Sequence, residues 1–102
     1  MNDIGLKDKE LASINSVFSI YPKITSATVF GSRALGNHKK YADIDIALKG
    51  ELDIIDIGRI HGDLEELPLI FLFDLVAYET LKNTDLKDHI DRVGVEIYKR
   101  ID

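Results

Sequence analysis

The chain predicts an α+β domain, and three observations predict it. Apolar residues recur at helical spacing in some stretches and alternate in others, and the two patterns interleave along 102 residues. Glycine or proline stands at most of the changes, at Pro22, Gly31, Gly36, Gly50, Pro68 and Gly94. No repeat, linker or low-complexity segment divides the chain, so residues 1–102 are expected to form a single domain.

In order, residues 8–21 carry Leu11, Ile14, Val17, Phe18 and Tyr21 on one helical face, and Pro22 closes the segment. Residues 25–30 are β-branched and read as a first strand ending at Gly31. A short helix is expected over 32–35, stopped near Gly36-Asn37. The polar stretch 38–41 is a loop, and residues 42–48 form the second strand before the Lys49-Gly50 turn. Ile54, Ile57, Ile60, Leu64 and Leu67 make one face of a helix over 53–67, ended by Pro68. Residues 69–78 are the most apolar strand, with Asp74 as its one charge. Asn83-Thr84 caps a helix over 85–93 that stops at Gly94, leaving 95–98 as a short final strand or a frayed extension.

Composition narrows the function. A domain of this size buries roughly two-thirds of its unfolded surface. The net charge of −5 argues against a general nucleic-acid binder, which needs a basic excess. With no cysteine there are neither disulfides nor thiolate metal sites. No run reaches membrane-spanning length and the N-terminus carries no signal pattern, so no membrane contact and a cytoplasmic location are expected.

The chemistry gathers at two places. Side chains alternate along a strand, so Asp43 and Asp45 share one face while Ile44, Ile46 and Leu48 line the other. Two like charges about 7 Å apart repel by roughly 2 kcal/mol at an effective dielectric of about 20. Either water solvates the pair or a cation lies between them. Upstream, Gly31-Ser32 stands where a strand hands over to a helix, a place where backbone N–H groups can meet an anion. Asn37 replaces the lysine of a Walker loop, and no dinucleotide fingerprint is present. A phosphate cradle beside carboxylates suggests a metal-bridged nucleoside triphosphate. Oxygen ligands suit Mg²⁺, and Asp74 would complete a three-carboxylate site able to hold two ions.

Gly31-Ser32-Arg33-Ala34, Gly36 and Asp43-Ile44-Asp45-Ile46-Ala47-Leu48 together resemble the core motif of the DNA polymerase β-like nucleotidyltransferases. In particular they resemble the minimal nucleotidyltransferase domains that pair with HEPN proteins. The likeness extends to Phe73-Asp74-Leu75-Val76 and to the tail over 86–94. It implies the nucleotidyltransferase fold, a small mixed sheet with helices on one face and the nucleotide on the other. It implies that Gly31 and Ser32 contact the triphosphate, that Arg33 touches phosphate, and that Asp43 and Asp45 bind Mg²⁺. Asp74 is similar to the third carboxylate, which activates the incoming nucleophile. The resemblance further implies transfer of AMP from ATP to a hydroxyl, a tyrosine of a HEPN toxin, by an antitoxin working in a hetero-oligomer. Ala42 departs from the serine common before the first acid, which removes a hydrogen bond but no ligand.

Blander readings stand beside these. Arg33 could pair with a nearby acid, Lys39 and Lys40 could be a solvated loop, and Asp53, Asp56, Asp63, Glu65 and Glu66 read as the wet side of a helix. His38, His61 and His89 lack metal-ligand spacing and read as surface or helix histidines. Arg33 and His38 match the spacing of HEPN ribonucleases, but Gly36-Asn37 interrupts the helix that pattern needs. A function from another class is a non-catalytic subunit that binds nucleotide or partner and neutralises a toxin by contact.

Overall fold

The computed structural model describes residues 4–101, so both ends of the 1–102 domain reading lie outside the described residues. The element order is α1 (Asp8–Ser19), β1 (Ser26–Phe30), α2 (Ser32–Leu35), β2 (Ile44–Lys49), α3 (Ile54–Glu65), β3 (Phe73–Ala77), α4 (Thr84–Val93) and β4 (Val95–Lys99). Local chemistry sets the starts of the helices. At α3 the Asp53 carboxylate accepts from the Asp56 amide at 2.8 Å, and Asp56 accepts in return from the Asp53 amide at 3.0 Å. Asn83 caps α4 by accepting from the Leu86 amide at 3.1 Å. Two of the five acids read as a wet helix face are therefore a capping box.

The four strands form one mixed sheet in the order β3-β2-β1-β4. β1 runs antiparallel to both β2 and β4, whereas β2 and β3 are parallel and joined through α3. The last segment is a true strand, because β1 offers it a free edge. β3 is shorter than the apolar run over 69–78 suggests. β2 has no paired residue before Ile44, so the ladder starts at Phe73 and leaves Ile70 and Leu72 exposed.

One sheet face carries Ala27, Val29, Ile44, Ile46, Leu48 and Phe73 against Ile14, Val17 and Phe18 of α1 and Ile60 and Leu64 of α3. All are buried, and they form the main core. The expected covering of one face by helices holds for α1 and α3. It does not hold for α4, whose Ile90 packs with Phe30 and Ala47 on the opposite face. Leu86 and Ile90, four residues apart, give α4 an apolar stripe that needs a partner, and the second sheet face supplies it. Asp45 is half-buried and Asp74 exposed on this second face, at the start of β2 and β3.

Candidate active site

Antiparallel pairing puts Phe30, the last residue of β1, opposite Asp45, and parallel pairing puts Asp45 beside Asp74. Adjacent strands lie about 4.8 Å apart, so the two carboxylates leave neighbouring backbones on one face. Asp43 precedes the ladder and is exposed. The three acids are thus gathered at one end of the sheet, on the face opposite the main core. Asp45 is half-buried and Asp74 is exposed, so the strand charge that looked costly from sequence meets water.

The grouping has an electrostatic consequence. Partial burial pushes the Asp45 carboxyl above its usual range, and the charges of Asp74 and then Asp43 push it further. His89 opposes them. A hard divalent cation suits this donor set, since three carboxylates that repel one another offer only oxygen ligands. Among the described residues, however, no three acidic or imidazole side chains converge as a ready-made metal site.

Gly31 adopts φ 74° and ψ −151°, a conformation that only glycine takes without strain. A Cβ on Gly31 would lie 2.5 Å from Oδ2 of Asp45, so the missing side chain is what lets the turn close over the carboxylate. Ser32 is exposed at the start of α2 beside it. The Gly31 amide is already engaged and donates to Nε2 of His89 at 3.0 Å. The His89 ring also meets Phe30 edge-on, with centroids 6.2 Å apart.

Sequence reasoning missed His89. Its only signal was its place on the buried stripe side of α4, one residue before Ile90, and nothing local tied it to a turn 58 residues away.

Arg33 is turned away from the three acids and into the protein. It is 1% exposed, and its guanidinium donates to the carbonyl of Ile4 at 2.8 Å and to that of Ala42 at 2.9 and 3.2 Å. Its plane also stacks 4.8 Å from the Phe71 ring centroid. The planar guanidinium fork reaches both carbonyls at once, which a single ammonium would not do. His38 packs beside Arg33 at Gly5, and no HEPN-like pairing arises, since the Arg33 donors are spent on backbone. His61 bonds the Phe73 carbonyl at 2.9 Å and holds α3 to β3.

Comparison with known proteins agrees with the geometry. A family profile described as "Polymerase beta, Nucleotidyltransferase" matches residues 12–102. The probable protein adenylyltransferase MntA of Haemophilus influenzae is 29% identical over 99 residues, covering 95% of this chain and 86% of that protein. A crystal structure of a toxin–antitoxin with AMP-PNP superposes with a TM-score of 0.72 at 24% identity, over 93% of this chain and 75% of that one. The Shewanella oneidensis complex of a tri-AMPylated HEPN toxin with an MNT antitoxin gives 0.63 at 23% identity, over 89% and 73% of the two chains. These structural likenesses show the shared fold, and the profile spans nearly the whole sequence. The chain belongs to the polymerase beta nucleotidyltransferase family, and its enzyme class is nucleotidyltransferase.

Proposed function

We propose that the chain transfers AMP from ATP, with Mg²⁺, to a tyrosine hydroxyl of a HEPN-family toxin, and that it acts as the antitoxin of that pair in the cytoplasm. One observation carries the catalytic part: Asp45 and Asp74 stand side by side on parallel strands, with Gly31 closed over Asp45. The partner part draws on the relatives, one named a protein adenylyltransferase and one assembled with an AMPylated HEPN toxin. No helix among the described residues is long and apolar enough to cross a membrane.

Asp43, Asp45 and Asp74 would hold the metal. Bound there, Mg²⁺ supplies charge neutralisation to the triphosphate and to the oxygens that change bonding. Gly31 keeps the turn close enough for phosphate to approach Asp45, and Ser32 offers its hydroxyl to an oxygen of that phosphate. Asp74, the most open of the pair, takes the proton of the acceptor hydroxyl. The acceptor oxygen bonds to the α-phosphorus, the bond to the β-phosphate oxygen breaks, and pyrophosphate leaves with its electron pair.

Co-expression with the product of the adjacent gene, followed by intact mass measurement, tests this reading. A partner heavier by one or more AMP units in wild type, and unmodified with Asp45→Asn, supports it. A stable complex of unmodified partner that still suppresses toxicity favours the contact-only subunit instead.

A further inference from the structure

Burial of Arg33 leaves the site without the cation that the sequence assigned to phosphate, and the structure offers another source. We infer that Lys39 and Lys40 hold the outer phosphates of the nucleotide, in the cavity that their loop forms with Ser32. This inference rests on the nucleotide reading above.

The cavity measures about 640 Å³ and is lined by Ser32 and by residues 37–42. That volume lies within the range of small-ligand sites, roughly 300–1,000 Å³. Ser32, at the start of α2, lines it, and Ala42, the residue before Asp43 in the chain, lines it too. The loop is anchored at both ends. The Asn37 amide donates to the Ser32 carbonyl at 3.2 Å, and the Ala42 amide donates to that of Lys39 at 3.1 Å. The Arg33 guanidinium grips the Ala42 carbonyl from beneath through two nitrogens. Arg33 therefore acts as the buttress of a loop whose own cations face the cavity side.

Charge points the same way. The chain carries 18 acids against 13 lysines and arginines, so acids to pair with are plentiful. The ion pairs among the described residues nevertheless involve Lys23, His61 and Arg92, not Lys39 or Lys40. Both lysines are exposed, and the Lys40 ammonium lies 5.4 Å from the Tyr41 ring centroid, with the ring at its side rather than a carboxylate. Two adjacent unpaired ammonium groups beside a hydroxyl make a fitting cradle for a polyphosphate, which Lys binds as a point charge.

Calorimetric titration of ATP, AMP and pyrophosphate into the full chain tests the assignment. The variants are Lys39→Ala/Lys40→Ala and a remote control of equal charge change, Lys9→Ala/Lys99→Ala. Hydrogen bonds to charged groups are worth roughly tenfold in affinity each. The loop variant should therefore lose about tenfold or more for ATP and pyrophosphate, with AMP affinity unchanged and the control like wild type. Equal losses for AMP and ATP, or a control that falls as far as the loop variant, would overturn the inference. If ATP affinity survives in the loop variant but collapses in Asp45→Asn, the lysine assignment fails alone. If the wild type binds none of the three ligands, the nucleotide reading fails with it.

Discussion

The Gly31 amide and the His89 ring, 58 residues apart in sequence, meet in a 3.0 Å hydrogen bond. A backbone N–H can only donate, so Nε2 accepts and the ring carries its proton on Nδ1. The bond ties the C-terminal helix α4 to the turn that closes over Asp45. His89→Ala should cost about 0.5–1.5 kcal/mol in urea unfolding, the ordinary worth of one such bond. His89→Gln, whose amide oxygen can accept from the same N–H, should recover part of that loss. Equal stability in all three proteins would show that the bond holds nothing.

Gly31→Ala should be damaging for two separable reasons. The backbone conformation costs about 1–3 kcal/mol for any residue with a Cβ. The new methyl would also meet Oδ2 of Asp45. In a double-mutant cycle, Asp45→Ala should relieve the contact and leave the backbone strain. Additive losses in unfolding free energy would show that the two positions do not press on each other.

Arg33 should behave as a structural residue. Arg33→Met keeps the apolar stem but leaves the Ile4 and Ala42 carbonyls unpaired, a loss of roughly 2–5 kcal/mol in chemical denaturation. Arg33→Lys should rescue little, since one ammonium cannot span both carbonyls with the planar fork. Full stability in Arg33→Lys together with weakened ATP binding would restore Arg33 to the phosphate.

The raised Asp45 carboxyl sets a pH dependence. The folded state holds this proton more tightly than the unfolded chain, so Asp45 destabilises once it ionises and does not below the ordinary carboxylate range. Stability from this group falls as pH rises through the folded value. Asp45→Asn should therefore melt higher than wild type near neutral pH without metal, and the advantage should vanish in acid. A lower melting temperature for Asp45→Asn at neutral pH would contradict the burial and the carboxylate repulsion that raise this group.

Much of this was legible in the sequence because it is local. Alternation in Asp43-Ile44-Asp45-Ile46 tells which face each side chain takes, and the observed β2 agrees, with Ile44 and Ile46 wholly buried. Gly31 marked the handover from strand to helix, and the structure ends β1 at Phe30 and starts α2 at Ser32. Asp74 stood out as the lone charge in an apolar strand. Its lateral pairing with Asp45 depends on parallel register, which no local pattern encodes. The backbone partners of Arg33 and His89 were hidden for the same reason. Both roles are decided by carbonyls and amides far along the chain, at Ile4, Ala42 and Gly31. A backbone partner has no side-chain signature, so a buried arginine and a phosphate-binding one look alike in sequence.

The most direct test of nucleotidyl transfer follows the label in the purified complex. ATP labelled at the α-phosphate or at the γ-phosphate is incubated with Mg²⁺, the chain and its unmodified partner. The site described here predicts that α label appears on the partner, that γ label leaves as pyrophosphate, and that Asp45→Asn and Asp74→Asn each abolish transfer. Transfer of the γ label, or α transfer undiminished in both variants, would contradict it.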